Sequence, residues 1–113
     1  MRAADRLLEI EGKFGSALQR IVPMELDGAT LRVILYLKDG SNLRVTEQWE
    51  TGQLKQYSYY WLTSDNELKI GWDNAPHHKK LKSFPHHKHV ERQDNLQPST
   101  ETCLEEVMKV IFK

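Results

Sequence analysis

The sequence predicts an α+β fold: an antiparallel β-meander of four to five strands, with N-terminal and C-terminal helices packed on one face. Three observations predict it. The middle of the chain breaks into short runs in which apolar and polar residues alternate, and alternation at period two marks half-buried strands. The runs are separated by turn signals, Asp27-Gly28, Asp39-Gly40, Thr51-Gly52 and Ser64-Asp65-Asn66, which join antiparallel neighbours. Helical spacing of apolar residues occurs only near the two ends. The 113 residues contain no linker, so residues 1–113 read as one domain with a single modest core.

The elements follow in order. Residues 3–18 carry Leu7, Ile10, Phe14 and Leu18 at approximately helical spacing. Gly12 and Gly15 weaken this helix, each by about 1 kcal/mol against alanine, and Gly15 is a place for it to end. Residues 17–26 suit a first strand, with Pro23 marking an edge position. LRVILYLK then sets Leu31, Val33, Leu35 and Leu37 on one face. NLRVTEQWE aligns Leu43, Val45, Glu47 and Trp49, and LKQYSYYWLT aligns Tyr57, Tyr59 and Trp61 opposite Ser58, Tyr60 and Leu62. ELKIGW supplies Leu68, Ile70 and Trp72. Residues 91–97 read as a polar loop. Pro98-Ser99-Thr100-Glu101 should open the last helix, with Ser99 or Thr100 as its N-cap and Leu104, Val107, Met108 and Ile111 as its apolar stripe.

Composition excludes several classes. Sixteen basic and sixteen acidic side chains cancel, so no global field draws the protein to nucleic acid or membrane. A single cysteine, Cys103, forms no internal disulfide and reads as a small buried thiol in a reducing setting. No apolar run approaches the ~20 residues of a membrane span, and MRAADRLLEIEG lacks a signal-peptide core. A soluble cytoplasmic protein is expected.

All five histidines fall between residues 77 and 89, in HHKKLKSFPHHKH. The tripeptide Pro76-His77-His78 repeats as Pro85-His86-His87, and Lys79, Lys80, Lys82 and Lys88 share the window with no acid. Histidine exchanges protons near neutral pH and ligates metals, while a locally cationic loop suits a phosphate-containing substrate. The two arms should converge near Trp72 and Asp73. If the second arm is extended, His87 and His89 share one face, and His86 and Lys88 the other.

The candidate catalytic residues are therefore His77, His78, His86, His87 and His89 as acid and base, Lys88 as phosphate holder, and Asp73 or Glu47 as orienting carboxylate. Glu47 earns its place because it sits at an apolar position of its strand, where a carboxylate must be paired, exposed or functional. Pairing with an arginine is its plainer role. Tyr60, Trp72, Asn74, Lys79, Lys80 and Lys82 are candidate substrate contacts, with Trp72 also suited to the core and Asn74 to a turn. A metal-free site is the first expectation, since lysines oppose a cation. The alternative is a divalent metal such as zinc or manganese on His87 and His89. A plainer reading makes the tract a metal-sticky surface loop. Nucleophile-elbow and phosphate-loop motifs are absent.

The words YSYYW, IGWDNAPHH, FPHHKHV and NLQPS resemble the TumE family of prokaryotic toxin–antitoxin proteins. Family members carry YSYHW, a RWDNAPHH-like segment, FPHHKHV, and a PS before the last helix. The resemblance runs from LRVILYLKDG through the C-terminal helix. It departs at Tyr60, where many members have histidine, and at Gly71, where arginine is common. The resemblance implies the toxin half of a bicistronic pair, whose partner is a small DNA-binding antitoxin with a helix-turn-helix or winged-helix domain. Toxins of this size commonly act on RNA. Together with the histidine–lysine loop, that makes an endoribonuclease the expected activity, and a non-catalytic binding module its rival. RNA and a second copy of the chain, as a homodimer, complete the candidate partners.

Overall fold

A computed structural model describes residues 1–113. It is α+β, as predicted, but the sheet has seven strands rather than four to five. Helix α1 spans Ala3–Phe14, and a short 3₁₀ turn, Gly15–Ala17, leads into the sheet. The strands are β1 (Leu18–Asp27), β2 (Thr30–Leu37), β3 (Asn42–Glu50), β4 (Gln53–Leu62), β5 (Leu68–Asp73), β6 (His87–Val90) and β7 (Leu96–Pro98). Helix α2, Leu104–Ile111, closes the chain. Every strand pairs antiparallel with its sequence neighbours, in the order β1 to β7. The two Asp-Gly turns place Gly28 and Gly40 at φ +58° and +93°, conformations that glycine adopts without strain.

The two extra strands escaped the sequence for physical reasons. In β6 the inward–outward alternation exists, but its buried members are His87 and His89 rather than aliphatic residues. Strand β7 is three residues long and ends at Pro98, which an edge strand tolerates because its outer N–H has no partner to lose. Pro23 lies on the other edge strand, β1, next to a register shift between Pro23 and Glu25.

The core lies on one face of the sheet. Leu31, Val33, Leu35 and Leu37 are all buried there, as are Leu43, Val45, Tyr57, Tyr59 and Trp72. Ala3 and Ile10 of α1 and Leu104, Val107 and Met108 of α2 complete the same cluster. The last helix starts later than the sequence suggested. Ser99 bonds to Glu101 in a turn rather than capping a helix, and Thr100 is exposed. Helix α2 begins after Cys103, with the Glu106 carboxylate accepting from the Thr102 N–H and hydroxyl, both at 2.9 Å, and so fastening the residue before the N-cap to the first turn. Cys103 is partly exposed at this N-cap rather than buried.

A buried ion pair joins the layers. The Arg6 guanidinium donates to both oxygens of Glu47, at 2.8 and 3.1 Å, and to Glu105 of α2 at 2.8 Å. Glu47 also accepts from the Tyr59 hydroxyl at 2.6 Å and the Trp49 indole at 3.0 Å. The carboxylate that broke the apolar pattern of β3 is thus fully satisfied. No helix is long and apolar enough to cross a membrane.

Candidate functional site

The face of the sheet opposite the helices carries no helix, and the histidines gather there beside the loop that joins β5 to β6. Cross-strand pairing sets Ser58 opposite Asp73 and Asp73 opposite His87. It likewise sets Tyr60 opposite Gly71 and Gly71 opposite His89. Cross-strand partners share a face, so Asp73, His87 and His89 form one group at the end of β5 and the start of β6. Their ligand atoms all lie within 4.8 Å of one another. His87 Nε2 is 2.8 Å from Asp73 Oδ1, and His89 Nε2 is 3.5 Å from Asp73 Oδ2.

The far side of each ring is also fixed. His87 Nδ1 lies 3.0 Å from the Pro85 carbonyl and His89 Nδ1 lies 2.8 Å from the Gln93 carbonyl. A carbonyl oxygen only accepts, so both Nδ1 atoms donate and both Nε2 atoms face Asp73. All three residues are buried.

The first arm completes the site. The chain turns at Pro76-His77, where the His77 N–H bonds to the Ala75 carbonyl. The His78 ring then stands edge-on to His87, with centroids 4.9 Å apart, and 6.4 Å from His89. The arms therefore converge beside Asp73. They bound a cavity of about 600 Å³ lined by Gln56, Ser58, Tyr60, Asp73, His77, His78, His87 and His89, among others. A neighbouring depression of about 430 Å³ shares His77 and His78 and adds Lys79 and Lys80. Lys82 is exposed in the same loop but lines neither hollow.

Other expected site residues lie elsewhere. Lys88 pairs with Trp72 across β5 and β6, on the helix face, with its Nζ 3.7 Å from Glu101. His86 also turns to that side, where its ring stacks on Tyr57 and its Nδ1 is 2.9 Å from the Tyr57 hydroxyl. Burial there, with a smaller contribution from His87, pushes His86 below its ordinary pKa. Burial likewise pushes the Tyr57 hydroxyl well above its own. Trp72 is fully buried in the core and donates to Glu101 at 3.0 Å. Glu47 sits in the ion pair described above, on the helix face. Asn74 spends its side chain on β4: Oδ1 accepts from the Tyr57 N–H and Nδ2 donates to the Lys55 carbonyl. Ser58 belongs to the cavity and was not expected there. Its strand parity with Tyr60 was the available signal.

Tyr60 and Gly71 are linked. A Cβ built on Gly71 would lie 2.0 Å from the Tyr60 ring, so the ring occupies the space a side chain at residue 71 would take. Burial, and then the Asp73 charge 3.5 Å away, raise the Tyr60 pKa, which keeps its hydroxyl a donor toward Asp73. Gly71→Ala should cost about 1–3 kcal/mol by overpacking. Gly71→Ala combined with Tyr60→Ser should recover most of that, a coupling readable in a thermal-unfolding double-mutant cycle. Additive losses would mean that the ring does not depend on the missing Cβ.

The fold and site define a small α+β protein with one helix-covered sheet face and one open face bearing a histidine–aspartate cluster. The chain belongs to the TumE toxin family: the family model described as Toxin TumE matches residues 15–113. A toxin family implies an antitoxin partner in general. No curated protein and no solved structure matches the chain. Tyr60 and Gly71, the two departures from the family words, are the contacting pair just described.

Proposed function

We propose that this toxin cleaves RNA at the Asp73–His87–His89 cluster. The observation that carries the reading is the convergence of both Pro-His-His arms on the open sheet face, in a hollow whose only acid is Asp73. Basic groups flank that hollow on two sides. Lys79 and Lys80 line the adjoining depression. On the other side, two cross-strand rows lead to the cluster: Arg44–Tyr60–Gly71–His89 and Arg32–Thr46–Ser58–Asp73–His87. At roughly 4.8 Å per strand, Arg44 stands about 10 Å from Gly71 along its row and Arg32 about 14 Å from Asp73. Both arginines are exposed and form no ion pair. That is a short single-strand path of phosphate contacts, with Tyr60 as a stacking surface.

In the proposed reaction, the ribose 2′-oxygen attacks phosphorus and gives up its proton, the P–O5′ bond breaks, and the 5′-oxygen takes a proton. His77 and His78 make no side-chain hydrogen bond within the protein, so their ring nitrogens are free for these transfers. The Nδ1 atoms of His87 and His89 are held by backbone carbonyls while their Nε2 atoms face Asp73, which favours the metal-holding alternative for that pair. The partner of this reading is a DNA-binding antitoxin with a helix-turn-helix or winged-helix domain, covering the open face.

Purified protein, incubated with cellular RNA with and without divalent metal, should release discrete fragments. Expression without the neighbouring gene product should arrest growth and degrade RNA, and co-expression should restore both. Intact RNA in every arm, with growth arrest retained, removes the ribonuclease and leaves the open face as a binding surface.

A further inference from the structure

We propose that Asp73, His87 and His89 bind one divalent transition-metal ion. The hydrogen bonds already described carry it. Each ring donates from Nδ1 to a backbone carbonyl, so in its neutral form each ring has its lone pair on the Nε2 that faces Asp73. Two lone pairs and a carboxylate, all acceptors, converge within 4.8 Å. Acceptors do not stabilise one another, whereas a cation between them satisfies all three. An Nδ1–H held by a backbone carbonyl is also how metal-bound histidines are oriented.

The spacing fits. Ligand atoms about 2.1 Å from a tetrahedral zinc stand about 3.4 Å apart. The His87 Nε2–Asp73 Oδ1 and His89 Nε2–Asp73 Oδ2 separations, 2.8 and 3.5 Å, lie on either side of that value, and with all ligand atoms within 4.8 Å of one another a small rotation of the carboxylate and rings closes the set around one ion. Two nitrogens and one oxygen suit zinc, manganese or iron better than magnesium or calcium. Three protein ligands leave a position open, and here it faces the hollow lined by Ser58, Tyr60 and His78. Held there, a cation would polarise a phosphoryl oxygen or a water. The rival without metal is a single proton on His87 Nε2, donated to Asp73 Oδ1 across 2.8 Å, which leaves the His89 Nε2 lone pair facing the carboxylate at 3.5 Å with nothing between them.

Binding is read on the protein alone, so it stands or falls independently of the RNA reading. Tag-free protein is titrated with zinc by calorimetry and with cobalt by visible absorption. One ion per chain should bind, cobalt should give a tetrahedral or five-coordinate d–d spectrum, and zinc should raise the melting temperature. Asp73→Asn, His87→Gln and His89→Gln should each weaken zinc at least about tenfold, with circular dichroism confirming that each is folded. His77→Gln and His86→Gln should change affinity less than about twofold, a contrast that a metal-sticky loop does not produce. The proposal is overturned by the absence of saturable binding. It is equally overturned by binding that survives the first three changes or is lost in the last two.

Discussion

Arg6→Ala should remove about 3–5 kcal/mol of stability, the usual cost of leaving one partner of a buried ion pair alone. Glu47 is fully buried and would keep only the Tyr59 hydroxyl and Trp49 indole as donors. Against a total of roughly 5–15 kcal/mol for a domain of this kind, the loss is large. Arg6→Lys should rescue little, because one ammonium cannot reproduce the forked bonds to Glu47 and the bond to Glu105. Arg6→Met with Glu47→Gln should be more stable than Arg6→Ala alone, since the amide is uncharged, its oxygen accepts from the Trp49 indole, and its NH2 donates to the Tyr59 hydroxyl oxygen. Urea unfolding of these variants orders them, and equal losses for Arg6→Ala and the double variant would show that the charge is not what the fold must neutralise. Acid acts on the same junction. Burial alone would raise the Glu105 pKa, but hydrogen bonds from Arg6 and Lys13 outweigh it and hold the carboxyl down at about 2. A depressed carboxylate stabilises the fold above its unfolded pKa, near 4.5, and that contribution fades as pH falls from there toward 2. Arg6→Ala should flatten this acid limb.

Glu47 also marks where reading a sequence stops. Its parity on an apolar strand face showed that the carboxylate needed a partner, and pairing with an arginine was the plainer expectation. Nothing in local spacing could pick Arg6, 41 residues away, because that choice depends on how α1 lies over the sheet. The meander itself was legible, since each of β2 to β5 carries its own alternation and its own turn. Strands β6 and β7 were not, because they hold few aliphatic residues and exist by pairing with β5. The same limit governed the site. Period two correctly placed His87 and His89 on one face and His86 and Lys88 on the other. It could not say which of the two faces the helices cover, and that decides which pair meets the open hollow.

On the proposed reading, Asp73→Asn should produce the largest functional loss in the molecule. Asp73 is the one group that touches both His87 and His89. Its Oδ1 also accepts from the Ala75 N–H, which fixes the start of the loop that carries His77 and His78. Asparagine keeps the size and one acceptor oxygen but removes the charge, so the fold should survive while RNA cleavage falls at least about a hundredfold, the scale for losing a preorganised charged group at a reacting phosphate. Cells expressing the variant without antitoxin should grow, and their RNA should stay intact. Lys88→Ala serves as the contrast. Its charge lies on the helix face beside Glu101, so cleavage should change less than about threefold although the residue stands within the same histidine window. Arg44→Ala and Arg32→Ala should weaken RNA binding and lessen its salt dependence by about one unit of slope each, leaving the rate at saturating RNA nearly unchanged. Antitoxin capture by the Asp73→Asn protein separates the two readings of the open face. Retained capture with lost toxicity marks a reacting centre. Lost capture, with the variant folded, marks an interface and removes Asp73 from the chemistry.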